Sequence, residues 1–154
     1  MDDDTPPFEE FGELFDNLDN AKEILLKKKD LDLAKFRHLI SDISEINLSP
    51  EPKILNPLEE LYYNIFIDKS KKMEVERAEF ENLLSLYFMH ILVEKNIARW
   101  GVDRNPFSKN RYNLIIEFSK DYNTTGGFAT ELFENEADFG RNYLVSRMSE
   151  YVSL

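Results

Sequence analysis

Cysteine is absent from this 154-residue chain. That excludes a disulfide framework and any cysteine-liganded zinc or iron–sulfur centre, and it fits a reducing compartment. Long apolar runs are missing as well. The longest, Leu86-Tyr-Phe-Met-His-Ile-Leu-Val93, is far shorter than the ~20 residues a membrane span needs. The chain opens on Asp2, Asp3 and Asp4, where a secretory signal carries a basic region and an apolar core. The sequence therefore predicts a cytoplasmic protein that does not enter membranes.

Basic residues are missing from the first twenty positions, which hold eight carboxylates: Asp2, Asp3, Asp4, Glu9, Glu10, Glu13, Asp16 and Asp19. These are eight of the 30 acids and none of the 19 bases, so 22 acids face 19 bases in the rest of a chain whose net charge is -11. An acidic leader thus precedes a nearly neutral body. A negative balance disfavours DNA or an anionic membrane as the main partner, because affinity for phosphate backbones comes from neutralising them with Lys and Arg. It favours a basic partner or simple solubility.

Hydrophobic residues make up 42% of the chain and aromatic residues 13%, enough for one core in a single domain spanning 1–154. The dominant period is helical. Phe8, Phe11, Leu14, Phe15, Leu18, Ala21, Ile24 and Leu25 form one apolar stripe, so residues 1–20 read as an acidic amphipathic leader helix, packed or ordered on binding. Lys27-Lys28-Lys29 sits at its C-terminal end, where cations are favoured. A second helix is expected from Asp30, as N-cap, to Ile46 through Leu33, Phe36, Leu39, Ile40 and Ile43. Pro50, Pro52 and Pro57 mark a connector, with Asn56 capping a helix that buries Leu58, Leu61, Tyr62, Ile65 and Phe66.

From Met73 to Asn96 a long helix presents Phe80, Leu83, Leu84, Tyr87 and Ile91 over so broad a surface that it should be central. Residues 97–109 read as a loop. Ser108 is placed as the cap of a helix through Tyr112, Ile115, Ile116 and Ser119, although Leu114–Phe118 also suits a strand and Asn123–Gly127 a turn. Phe128 to Val152 reads as one broken or two short helices. The expected fold is all-α: a compact helical bundle of five to seven helices with at most a minor β-hairpin near 112–130.

Catalytic machinery is sparse. His38 precedes Asp42 by four residues and His90 precedes Glu94 by four, so each pair shares a helix face. Together they supply two imidazoles and two carboxylates, but without the Glu-x-x-His repeats of di-iron bundles. A metal-dependent helical enzyme is therefore the third reading. There is no Gly-x-Ser-x-Gly elbow, and Asn123-Thr-Thr-Gly-Gly-Phe128 lacks the Lys and hydroxyl of a phosphate loop; a helix–helix turn is the better reading there. Glu74-x-Glu76 and Glu79-x-Glu81 diverge on a helix and decorate its solvated face. No enzyme, metal or cofactor is expected.

Against the acidic leader stands the segment Lys95–Arg111, with Lys95, Arg99, Arg104, Lys109 and Arg111 around Trp100 and Phe107. Basic and aromatic residues together grip nucleic acid, yet they also suit pairing with the chain's own acids. The expected function is an acidic protein-binding module of the inhibitor or immunity type. It would neutralise a basic partner, such as a toxin nuclease or a nucleic-acid-handling machine, by electrostatic complementarity. Glu9, Glu10, Glu13, Asp16 and Asp19 supply the charge, and Phe8, Phe11, Phe15 and Trp100 the apolar anchors. The alternative is a helical scaffold or assembly subunit whose N-terminal stripe lies in a partner's groove.

Overall fold

A computed structural model of the chain describes residues 12–106, 110–119, 122–124, 126–134 and 142–152. They fall into two compact units, one from residues 1–31 and 98–125, the other from 32–97 and 126–154. The expected all-α helical bundle is overturned: the chain is a mixed α/β structure with a four-stranded antiparallel sheet.

In the first unit β1 is Glu13–Leu14, β2 Arg99–Arg104, β3 Arg111–Ser119 and β4 Tyr122–Thr124. β3 is central. β2 lies along one of its edges, with Trp100 opposite Ile116, Val102 opposite Leu114 and Arg104 opposite Tyr112. β1 and β4 pair with the two ends of its other edge. Residues 97–109, expected as a loop, therefore contain a strand, and the helix expected from Ser108 is β3. Tyr112, Ile115, Ile116 and Ser119 have helical spacing, but Ile115 and Ile116 are both buried on opposite faces of the strand. A strand covered on both faces loses its period-two signature.

Helix α1, Leu18–Ile43, contributes its first half to this unit and its second half to the other. Two helices were expected, meeting at Asp30. The helix continues because Ala21, Leu25, Lys29, Leu33, Phe36 and Ile40 keep one stripe at spacings of four, four, four, three and four. The Lys29 side chain is only 14% exposed, its apolar stem filling the gap that the charge suggests. Ala21 and Leu25 pack on Val102 and Tyr112, with Phe15 and Leu26 partly buried beside them.

Gly101 makes room on the opposite face of the sheet. A Cβ there would stand 2.8 Å from Glu117 Oε1. Glu117 Oε2 accepts from Arg99 Nε and Nη2 at 3.1 and 2.9 Å, so the missing side chain leaves room for that cross-strand ion pair.

The second unit is helical. A 3₁₀ turn, Pro52–Ile54, leads into α2, Leu55–Phe66; α3 is Arg77–Glu94 and α4 is Tyr143–Met148, with a helical turn at 132–134. α3 lies within the span expected for the long central helix and is buried on several sides, through Phe80, Leu84, Tyr87, Phe88, Ile91 and Leu92. Its core is aromatic. Phe36 meets Phe80 and Tyr87 at ring distances of 6.0 and 5.5 Å, Tyr62 meets Phe66 at 5.1 Å, and Phe88 stacks on Phe128 at 4.1 Å. Such pairs add to the stabilisation from area alone.

Candidate protein-binding surface

The segment 12–19 is positioned by its backbone. Gly12 has φ +100° and sits against the main chain of Tyr112, where an added Cβ would be 3.0 Å from the carbonyl oxygen. Arg111 Nη1 donates to the Gly12 carbonyl at 2.9 Å, and the Phe15 N–H donates to the Asn110 carbonyl at 2.8 Å. Asn17 Oδ1 accepts from the Asn20 N–H at 2.9 Å, capping the first turn of α1 where Asp19 also opposes the dipole. The leader helix expected over residues 1–20 is therefore a short strand and a bend in its described part, and α1 begins at Leu18.

This path sorts the side chains. Phe15 turns inward, 6.3 Å from the Tyr112 ring. Leu14 is 65% and Leu18 40% exposed, and Glu13, Asp16 and Asp19 are exposed beside them. Glu13 approaches Lys28 at 3.9 Å with both side chains more than half exposed, a pairing that solvent screens heavily. Phe8, Glu9, Glu10 and Phe11 lie outside the described residues.

Trp100 is half-buried on β2, with Lys29 Nζ 5.1 Å from its ring centroid. Part of the basic segment around it is engaged within the chain, by acids outside the leader. Lys95 pairs with Glu51 and Arg99 with Glu117, while Arg111 reaches the leader through a main-chain carbonyl. Lys109 and Phe107 lie outside the described residues.

His38 and Asp42 form a pair at 3.4 Å on α1, the histidine 82% exposed. His90 Nε2 instead lies 3.4 Å from Arg37 Nη2. Among the described residues no group of three or more His, Asp or Glu side chains is placed to hold a metal ion. Asn123 and Thr124 belong to β4, and the glycines Gly126 and Gly127 follow it, so this stretch is not the helix–helix turn expected. Among the described residues no helix is long and apolar enough to cross a membrane.

Two carboxylates are buried in the helical unit: Glu59, which sequence reasoning passed over, and Glu81, which it placed on the solvated face of its helix. Glu59 accepts from the Tyr63 hydroxyl at 2.7 Å and from the Tyr143 and Leu144 N–H groups at 3.1 and 2.7 Å. It thereby anchors the start of α4. Glu81 accepts from the Tyr62 hydroxyl and lies 3.6 Å from Arg77 Nε. Burial, followed by the hydrogen bond to Glu81, pushes the Tyr62 phenol far above its ordinary range. A signal was present: Glu59 stands within the apolar stripe of α2, four residues before Tyr63. Among the described residues no buried side-chain nitrogen or oxygen lacks a partner, so these groups are spent on the fold.

The family model described as uncharacterised protein YwmA matches residues 14–152. The chain belongs to this family. No curated protein and no solved structure matches it. The match takes in both units and includes Leu14, Asp16, Leu18, Asp19 and Trp100, whereas Phe8 to Glu13 precede it.

Proposed function

We propose that this YwmA-family protein is a cytoplasmic, acidic protein-binding module of the inhibitor or immunity type. It acts by binding and covering a basic partner, such as a toxin nuclease or a nucleic-acid-handling machine, and performs no chemistry of its own. The observation that carries the reading is the segment 13–19, where exposed Glu13, Asp16 and Asp19 alternate with exposed Leu14 and Leu18 on a backbone tied to β3. Carboxylates steer a basic partner and raise the rate of encounter, while apolar side chains among them provide the desolvated contacts that hold it. The ordered backbone lowers the entropy lost on binding. Phe15 packs inward, which removes one expected anchor from this reading, leaving Leu14 and Leu18 in its place, and one from the alternative in which Phe8, Phe11 and Phe15 lie together in a partner's groove.

The test is a pull-down from lysate of the native organism at low and high salt, followed by association kinetics with the partner so identified. The expected result is a basic protein that is released at high salt. Replacing Glu13, Asp16 and Asp19 together with Lys should slow its association by at least about tenfold and weaken the salt dependence. A partner that resists salt and ignores this triple variant, but is lost on Leu14→Ala with Leu18→Ala, would establish an apolar assembly surface instead.

A further inference from the structure

The helical unit contains a cleft of about 530 Å³ between the 3₁₀ turn, the end of α3 and the C-terminal helix, a size typical of small-molecule sites. Its apolar wall is Pro52, Val145 and Val152, each only half-buried. Its polar side is Glu51, Lys53, Asn56 and Lys95. Lys95 is paired with Glu51, so those two charges offset each other. The Lys53 and Asn56 side chains are exposed and make no hydrogen bond or ion pair among the described residues. The cleft therefore presents one uncompensated cation and one free amide opposite an apolar wall, in a protein whose overall charge is -11.

Both walls are held in place. The Ile54 N–H donates to the Glu51 carbonyl at 3.0 Å and the Leu55 N–H to the Pro52 carbonyl, which fixes the turn carrying Lys53. Opposite, Glu59 holds the Tyr143 and Leu144 N–H groups and so fixes the turn carrying Val145. A ligand entering the cleft meets a largely pre-formed surface and orders little of the protein.

We propose that this cleft binds a small amphipathic carboxylate, a single carboxyl group on an apolar tail of a few carbons. The carboxylate takes a charge-assisted hydrogen bond from Lys53 and a second from the Asn56 amide, while the tail covers Val145, Val152 and Pro52. One free cation matches one negative charge. A phosphate dianion would leave charge unmatched beside Glu51, and an ammonium group would meet Lys53.

The experiment is an amide-resolved NMR titration of the full chain with hexanoate, hexanamide, hexylammonium and acetate. Hexanoate should shift the Lys53, Asn56, Val145 and Val152 resonances saturably. Hexanamide should bind at least about threefold more weakly, as expected for the loss of one partly exposed ion pair. Acetate, lacking the tail, should fail to saturate. Lys53→Gln, an exposed change that leaves the turn's backbone bonds intact, should reduce hexanoate to the level of hexanamide. The proposal is overturned by an absence of saturable shifts at these four residues, by hexylammonium or acetate binding as well as hexanoate, or by unchanged affinity in Lys53→Gln.

Discussion

Among the described residues of 32–97 and 126–152, the large side chains of Phe36, Tyr62, Tyr63, Phe80 and Phe88 have no exposed surface. In the described residues of the sheet unit the buried apolar set is smaller, Ala21, Leu25, Val102, Tyr112, Ile115 and Ile116. That unit also carries Leu14, Leu18, Ile24, Leu31 and Tyr122, five of the six large apolar side chains exposed among the described residues. The helical unit spends its apolar surface on its own core, whereas the sheet unit leaves part of it facing outward. Exposed apolar side chains are informative when they cluster, and here Leu14 and Leu18 cluster with acids. The difference sets the deeper core in the helical unit and the more exposed apolar surface in the sheet unit, where the proposed protein-binding surface lies.

The comparison breaks most visibly under a core truncation in each unit. Phe36→Ala should cost about 4 kcal/mol, the range for deleting a fully buried ring. Val102→Ala removes two carbons from the smaller cluster and should cost about 1.5 kcal/mol. Chemical denaturation measures both, with far-UV circular dichroism following the helices and Trp100 fluorescence following the sheet unit. If the two truncations cost the same, the contrast in burial has no energetic meaning.

A second pair sharpens the contrast through carboxylates. Glu59→Ala leaves one hydroxyl and two N–H groups without their acceptor inside the helical unit, and should cost on the order of 3 kcal/mol. Glu117→Ala removes the partner of Arg99, whose side chain is 79% exposed, and should cost less than about 1 kcal/mol. The same denaturation assay separates them. A cost for Glu117→Ala near that of Glu59→Ala would show that the sheet unit depends on its surface ion pair.

The same contrast explains what could be read from the sequence. α3 was legible because Phe80, Leu83, Leu84, Tyr87 and Ile91 repeat at helical spacing and are buried where they stand. The sheet was not. In β2 the alternation of Trp100 and Val102 with Arg99 and Asp103 is short and lies among basic residues that suggest a binding loop. In β3, Leu114-Ile115-Ile116 satisfies helix and strand alike, and only pairing with β1, β2 and β4 decides between them. For the candidate surface, Glu13, Asp16 and Asp19 were legible as charges. The inward turn of Phe15 was not, because it depends on a hydrogen bond to Asn110, far away in sequence.

The smallest effect near neutral pH, and one that grows only above about pH 10, is alkaline loss of stability in the helical unit. Burial raises the phenol pKa of both Tyr62 and Tyr87, and the hydrogen bond to Glu81 raises that of Tyr62 further. An unfolded chain ionises its tyrosines near pH 10. The stabilisation from keeping these phenols neutral is therefore complete below about pH 10 and is lost progressively above it, by no more than about 1.4 kcal/mol per pH unit for each group. Parallel pH titrations of tyrosinate absorbance and far-UV circular dichroism should show part of the phenolate signal appearing only as helix is lost. Tyr62→Phe removes one donor from Glu81 and should lower stability at neutral pH by about 1 kcal/mol, yet it should flatten the decline above pH 10. If all seven tyrosines ionise together near pH 10 while the helices remain intact, the buried phenols of the helical unit are open to solvent. The contrast with the sheet unit would then fail where it is drawn most strongly.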